Sequence, residues 1–112
     1  MAFDALEVAL KLAAALREPL IRIGQHDRNL ADQARRATSS VALCLSEGQR
    51  RTARDRLHLF RCASGSAAEV RTALELAIAW GYLEPSSLAL ALSLLDRELA
   101  MLYKLSGGKM KR

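Results

Sequence analysis

The chain has little with which to build a sheet, a disulfide framework or an aromatic stacking surface. Of its 112 residues five are aromatic, two are proline and two are cysteine. No segment alternates apolar and polar residues with a period of two, which argues against half-buried strands. Cys44 and Cys62 form no Cys-x-x-Cys, and with no export feature beside them they read as small core residues in a reducing compartment. Long uncharged runs are missing as well. Asp4, Glu7 and Lys11 interrupt the apolar start at helical intervals, unlike a secretion signal, and nothing approaches the roughly 20 apolar residues of a membrane span. The expectation is a cytoplasmic protein with no membrane partner.

Catalytic and metal-binding patterns are equally scarce. A di-iron bundle needs Glu-x-x-His pairs on facing helices, and the nearest match is a single Asp55-x-x-His58 in a basic segment. His26 falls in a turn between helices. Ser39, Ser40, Ser46, Ser64 and Ser66 have no base nearby in sequence, and no glycine-rich loop follows a strand. The sequence therefore predicts no enzyme, no catalytic residue, no metal and no cofactor.

What remains is rich in Leu and Ala, residues that lose little side-chain freedom in a helix. The chain reads as all-α: residues 1–105 as an antiparallel up-down-up-down four-helix bundle and residues 106–112 as a flexible basic tail. The first helix is expected from Phe3 to Ile23, with Ala2, Leu6, Ala9, Ala13, Leu16, Leu20 and Ile23 as its seam and a kink near Ala15, or a short break, imposed by Pro19. The second, Arg28 to Glu47, has its seam at Leu30, Ala34, Ala37, Val41 and Cys44 and stops at Gly48. The third, Ala53 to Trp80, has Phe60, Ala63, Ala67, Val70, Leu74 and Ala77 and stops at Gly81. Pro85 fits the first turn of a fourth helix with its seam at Leu88, Leu92, Leu95, Leu99 and Leu102. A second apolar stripe on that helix, Leu90, Leu94, Met101 and Leu105, would be wet in a monomer and predicts self-association. Gly65 lies inside "ASGSAA", where small residues admit a close neighbour either within the bundle or between subunits.

The charge is concentrated. From Arg22 to Arg61 nine arginines face four carboxylates, an excess that equals the whole net charge of +5, while the rest of the chain is balanced. Four of these arginines fall in "SEGQRRTARDR", residues 46–56, at the corner between the second and third helices. With aromatics too few for base stacking, the pattern predicts electrostatic, sequence-tolerant binding of RNA or DNA, with Arg35, Arg36, Arg50, Arg51, Arg54 and Arg61 as phosphate contacts. The other class compatible with the pattern is a protein-interaction scaffold whose arginines meet an acidic protein surface. A hairpin turning near residues 52–53 would also set Arg36, or as second choice Arg35, beside Glu69, and Cys44 near Cys62.

Four segments, "QARRATSSV" (33–41), "SEG" (46–48), "ASGSAAE" (63–69) and "GYL" (81–83), together resemble the 23S ribosomal RNA intervening-sequence proteins, a four-helix-bundle family. Where that family commonly has Asn before Ile-Ala-Glu-Gly, this chain has Cys44, Leu45 and Ser46. The resemblance implies structural roles for Glu47, Gly48, Gly65, Glu69 and Gly81, and a homopentamer of bundles. Through a related branch, the accessory proteins of diversity-generating retroelements, it also implies a reverse transcriptase as a possible partner.

Overall fold

The computed structural model describes residues 3–108. Those residues form five α-helices and one 3-10 turn: α1 Phe3–Ala15, α2 Arg17–His26, α3 Arg28–Gly48, α4 Ala53–Ala79, the 3-10 turn Pro85–Leu88, and α5 Ala89–Leu105. No strand occurs among the described residues. The expected break in the first helix is present. Pro19 has no N–H to offer the Ala15 carbonyl, so α1 ends at Ala15, and Pro19 sits in the first turn of α2, where the missing donor costs least.

Each corner has a local cause. Asp27 is extended at φ −154° and its Oδ1 accepts from the Leu30 N–H at 3.0 Å, capping α3. Gly81, at φ +78°, ends α4: its N–H bonds the Ile78 carbonyl and that of Tyr82 bonds the Ala77 carbonyl, the paired closure a left-handed residue permits. The turn after α5 closes in the same way, with Gly107 at φ +75° and the Gly108 N–H on the Tyr103 carbonyl. Of the expected tail, residues 106–108 make this turn, and residues 109–112 lie outside the described residues.

Pairing directions follow from cross-helix bonds. Ser66 Oγ donates to Ser40 Oγ at 2.9 Å and Tyr82 Oη to Asp27 Oδ2 at 3.1 Å, so α3 and α4 run antiparallel. Arg71 bonds Asp96, and Arg61 Nε donates to the Ser106 carbonyl at 3.3 Å, so α4 and α5 are antiparallel too. α1 packs on both α3 and α5. The core is Leu- and Ala-built; Leu12, Leu16, Ile23, Val41, Leu45, Val70, Leu74, Leu88, Leu95 and Leu102 are all but fully enclosed.

Every expected seam residue of α4 is buried, and in α3 all but Cys44, which is half-buried. Two seams need correction. In α1 the buried positions are Ala5, Val8, Ala9 and Leu12, whereas Ala13 is exposed and Leu6 half-buried; Ala2 lies outside the described residues. In α5 they are Ala91, Leu94, Leu95, Glu98 and Leu102. The second stripe of α5 is therefore not wet: Leu94 is buried, Met101 and Leu105 pack against the core, and Leu90 alone of the four is exposed, at 66%. Because α5 packs on both α1 and α4, it buries a broad face rather than a narrow seam.

Candidate nucleic-acid interface

The corner between α3 and α4 is tightly wound. Gly48 ends α3 against α4, and a Cβ there would stand 2.7 Å from Phe60 Cε1 and 3.3 Å from Leu59 Cβ. Successive N–H groups of Gln49, Arg50 and Arg51 bond the carbonyls of Leu45, Glu47 and Gly48. Thr52, in an extended conformation, hands the chain to α4, and Asp55 lies in its first turn, where a carboxylate suits the helix dipole. Four arginines project from a backbone that has little freedom to fold them away.

They are not equivalent. Arg51 is held by its own neighbours: Nε donates to Glu47 Oε2 at 3.0 Å, Nη2 bonds the same oxygen, and Asp55 Oδ2 lies 3.9 Å from Nη1. Arg56 donates to the Arg51 carbonyl at 3.2 Å, and Arg61 reaches the Ser106 carbonyl. Arg50 and Arg54 are exposed and make no ion pair among the described residues. Among the described residues the corner thus presents two guanidinium groups without an ion pair, with Arg56 and Arg61 bonded to neutral carbonyls. Glu47, expected to be structural, anchors Arg51.

Arg35 and Arg36 lie apart from this corner. Twelve helical steps carry α3 from Arg36 to its end at Gly48, about 18 Å at 1.5 Å per residue. Arg35 Nη1 donates to Asp32 Oδ1 at 3.2 Å across one helical turn. Arg36 is exposed and makes no ion pair among the described residues. The expected Arg36–Glu69 pair is not formed: both side chains are exposed, and the level contacts of the hairpin are Ser40 with Ser66 and Gly48 with Phe60. The cysteines are both free, Cys44 Sγ lying 3.7 Å from Ser40 Oγ and Cys62 Sγ 3.7 Å from His58 Nε2.

Arg17 is not among the arginines that the sequence singles out. It starts α2 and, with Arg35 and Ser39, rims a cleft of about 110 Å³ at the α1–α2 break, floored by Leu16, Leu20 and Thr38. No carboxylate lines it. Arg35 is already paired with Asp32, so Arg17 is the cation of this cleft with no ion pair among the described residues. In the sequence Arg17 follows Leu16 and precedes Glu18-Pro19, so only the break at Pro19 signals a gap beside it.

At the opposite end, Tyr82 of the "GYL" turn is structural. Its hydroxyl donates to Asp27 while its ring stacks on His26, centroids 5.1 Å apart and planes 7° from parallel. Desolvation first, and then the bond to the Asp27 carboxylate, raises the phenol above its ordinary pKa. Gly65, exposed in mid-helix, would meet nothing within 4 Å if it carried a Cβ, so close packing inside the bundle does not require it. Among the described residues no group of three or more His, Cys, Asp or Glu side chains could hold a metal ion, and no helix is long and apolar enough to cross a membrane.

Comparisons with known proteins bear on this arrangement. No curated protein matches the chain. A crystal structure from Bacteroides thetaiotaomicron, described as a protein of unknown function from the S23 ribosomal protein family, superposes with a TM-score of 0.82 at 16% identity, covering 91% of this chain and 97% of that one. At that identity the likeness is one of fold. The model of the family described as 23S rRNA-intervening sequence protein matches residues 3–104, and the chain belongs to that family.

Proposed function

We propose that the protein is a non-enzymatic, nucleic-acid-binding assembly that contacts phosphates through the α3–α4 corner, with RNA as the first ligand to test. The observation that carries this is the pair Arg50 and Arg54, exposed at the corner and without a carboxylate partner among the described residues, beside Arg56 and Arg61, which bond neutral carbonyls there. The family's name, with its reference to 23S rRNA, supports the same ligand class. Arg51 contributes least, because Glu47 already neutralises it. Arg17, in the cleft it lines with Arg35, and the exposed Arg36 add basic surface away from the corner, Arg35 itself being paired with Asp32. An electrophoretic mobility shift with mixed-sequence RNA tests this: Arg50→Ala with Arg54→Ala should weaken binding more than Arg51→Ala. Equal binding by wild type and the double variant overturns it.

In this reading α1 and α2 act as one bent helix, and the chain is an up-down-up-down four-helix bundle that self-associates, the family resemblance favouring five copies. The surface we assign to that contact is the outer face of α4 rather than the stripe on α5. Gly65 leaves open space there, Leu76 and Trp80 are 43% and 68% exposed on the same face, and Leu43 of α3, level with Gly65, is 68% exposed. Such an apolar face also suits a protein partner, which keeps the scaffold function, with a reverse transcriptase as one such partner, as the second reading. Loss of self-association on Gly65→Glu, with retained helicity, supports the assembly; a wild-type monomer at micromolar concentration by sedimentation contradicts it.

A further inference from the structure

Glu98 is anomalous. Among the described residues the core contains two polar side chains, Thr38 and Glu98. Thr38 is satisfied, its hydroxyl donating to the Ala34 carbonyl at 2.8 Å. Glu98 is wholly enclosed, and neither carboxyl oxygen has a hydrogen-bond partner. An ionised carboxylate in such a place has lost its hydration with nothing in exchange, which proteins avoid by pairing the charge or neutralising it.

Among the described residues no pairing group faces it. α5 packs on α1, on α4 and on the 3-10 turn before it. The charged residues of α1, Asp4, Glu7 and Lys11, are all exposed, and the 3-10 turn has none. On α4 the cation closest to burial is Arg71, which is engaged with Asp96 and whose buried Nε has no partner of its own; the other charged residues of α4 are exposed. On its own helix Arg97 points to solvent, and its field only partly offsets the loss of hydration.

We propose that Glu98 is a proton-controlled latch, whose carboxyl keeps α5 seated on α1 and α4 while protonated and releases that helix when it ionises. α5 is the element free to respond. The α3–α4 hairpin has its own cross-bonds, Ser40 to Ser66 and Asp27 to Tyr82, which do not involve α5. The polar ties of α5 to α4 are Arg71–Asp96 and Arg61 to the Ser106 carbonyl, both at the surface and individually weak. Desolvation places the carboxyl's pKa at about 7, against 4.5 for a free glutamate, so the switch falls near neutrality. That separation limits the effect to a few hundredfold in the opening equilibrium of α5.

Hydrogen exchange read by mass spectrometry on the full chain between pH 5 and 8, corrected for intrinsic rates, tests the latch. In wild type the opening of α5 amides should rise by up to roughly 70-fold across that range, while those of the α3–α4 hairpin change far less. Glu98→Gln should remove the rise. Because a buried amide could itself impair folding, Glu98→Leu is the second variant, and its α5 should stay closed at every pH. Both variants keep His26 and His58, so a histidine origin would persist in them. A flat wild-type profile, a rise that survives in Glu98→Leu, or equal loosening of all helices overturns the proposal. So does a Glu98 carboxyl that titrates in the ordinary glutamate range by carbon NMR.

Discussion

At Gly48 a methyl group would stand 2.7 Å from the edge of the buried Phe60 ring, and neither α3 nor α4 can withdraw without opening the corner. Gly48→Ala should therefore destabilise the fold by about 1–3 kcal/mol, the usual cost of forcing extra volume into a packed site, measurable as a lower denaturant midpoint. Glu98 gives the opposite sign. Its folded pKa, about 7, lies above the unfolded value of 4.5, so the folded chain binds more protons between them. Stability is greatest below pH 4.5, falls as pH rises towards 7 and is flat above. Glu98→Leu should raise stability at pH 8 by up to about 3 kcal/mol, the equivalent of that pKa separation, and have little effect at pH 4. Urea titrations at both pH values check this. Neither position declared itself in the sequence. Gly48 reads as a helix stop, which it is, but its contact with Phe60 depends on how α4 returns. Glu98 falls at a seam spacing in α5, between Leu95 and Leu102, yet a glutamate reads as solvent-facing; Leu88, Leu95 and Leu102 of the expected seam are buried, while Leu92 and Leu99 are half-buried.

The helices themselves were legible because 3.6-residue periodicity survives any detail of packing. Phe60, Ala63, Ala67, Val70, Leu74 and Ala77 are all buried, as their spacing requires. The break at Pro19 was legible for a covalent reason. The register of α1 was not, since Ala and Leu occur on every face of "ALEVALKLAAAL" and several stripes fit equally well. Nor could the sequence say whether Gly65 packs within the bundle or outside it. With nothing within 4 Å of its added Cβ, Gly65→Ala should stabilise the isolated bundle by about 1 kcal/mol, the helix-propensity difference. If α4's outer face is the contact between copies, the same methyl should weaken assembly. Thermal melts at low protein concentration and sedimentation at high concentration separate the two effects.

For the whole molecule, charge was easier to read than placement. The sequence located the excess in residues 22–61, but neutralisation is a matter of reach: Glu47 and Asp55 hold Arg51, Asp32 holds Arg35, and among the described residues Arg50, Arg54 and Arg36 are left without carboxylate partners. Arg36 stands about 18 Å from the corner by the helical rise along α3 to Gly48, so the six expected contacts divide into two sites. Repetition of the corner around an assembly would let individually weak phosphate contacts act together. The most direct test is fluorescence anisotropy of a labelled mixed-sequence RNA, titrated with wild type and with the Arg50→Ala, Arg54→Ala double variant over a range of salt. Wild type should bind at low salt, with log affinity falling linearly in log salt concentration. The double variant should bind more weakly and lose roughly 0.7 of slope for each phosphate contact removed from a single strand. Identical affinities and slopes for the two proteins, or no binding by wild type at low salt, would contradict a phosphate-binding corner and leave the arginines for an acidic protein partner.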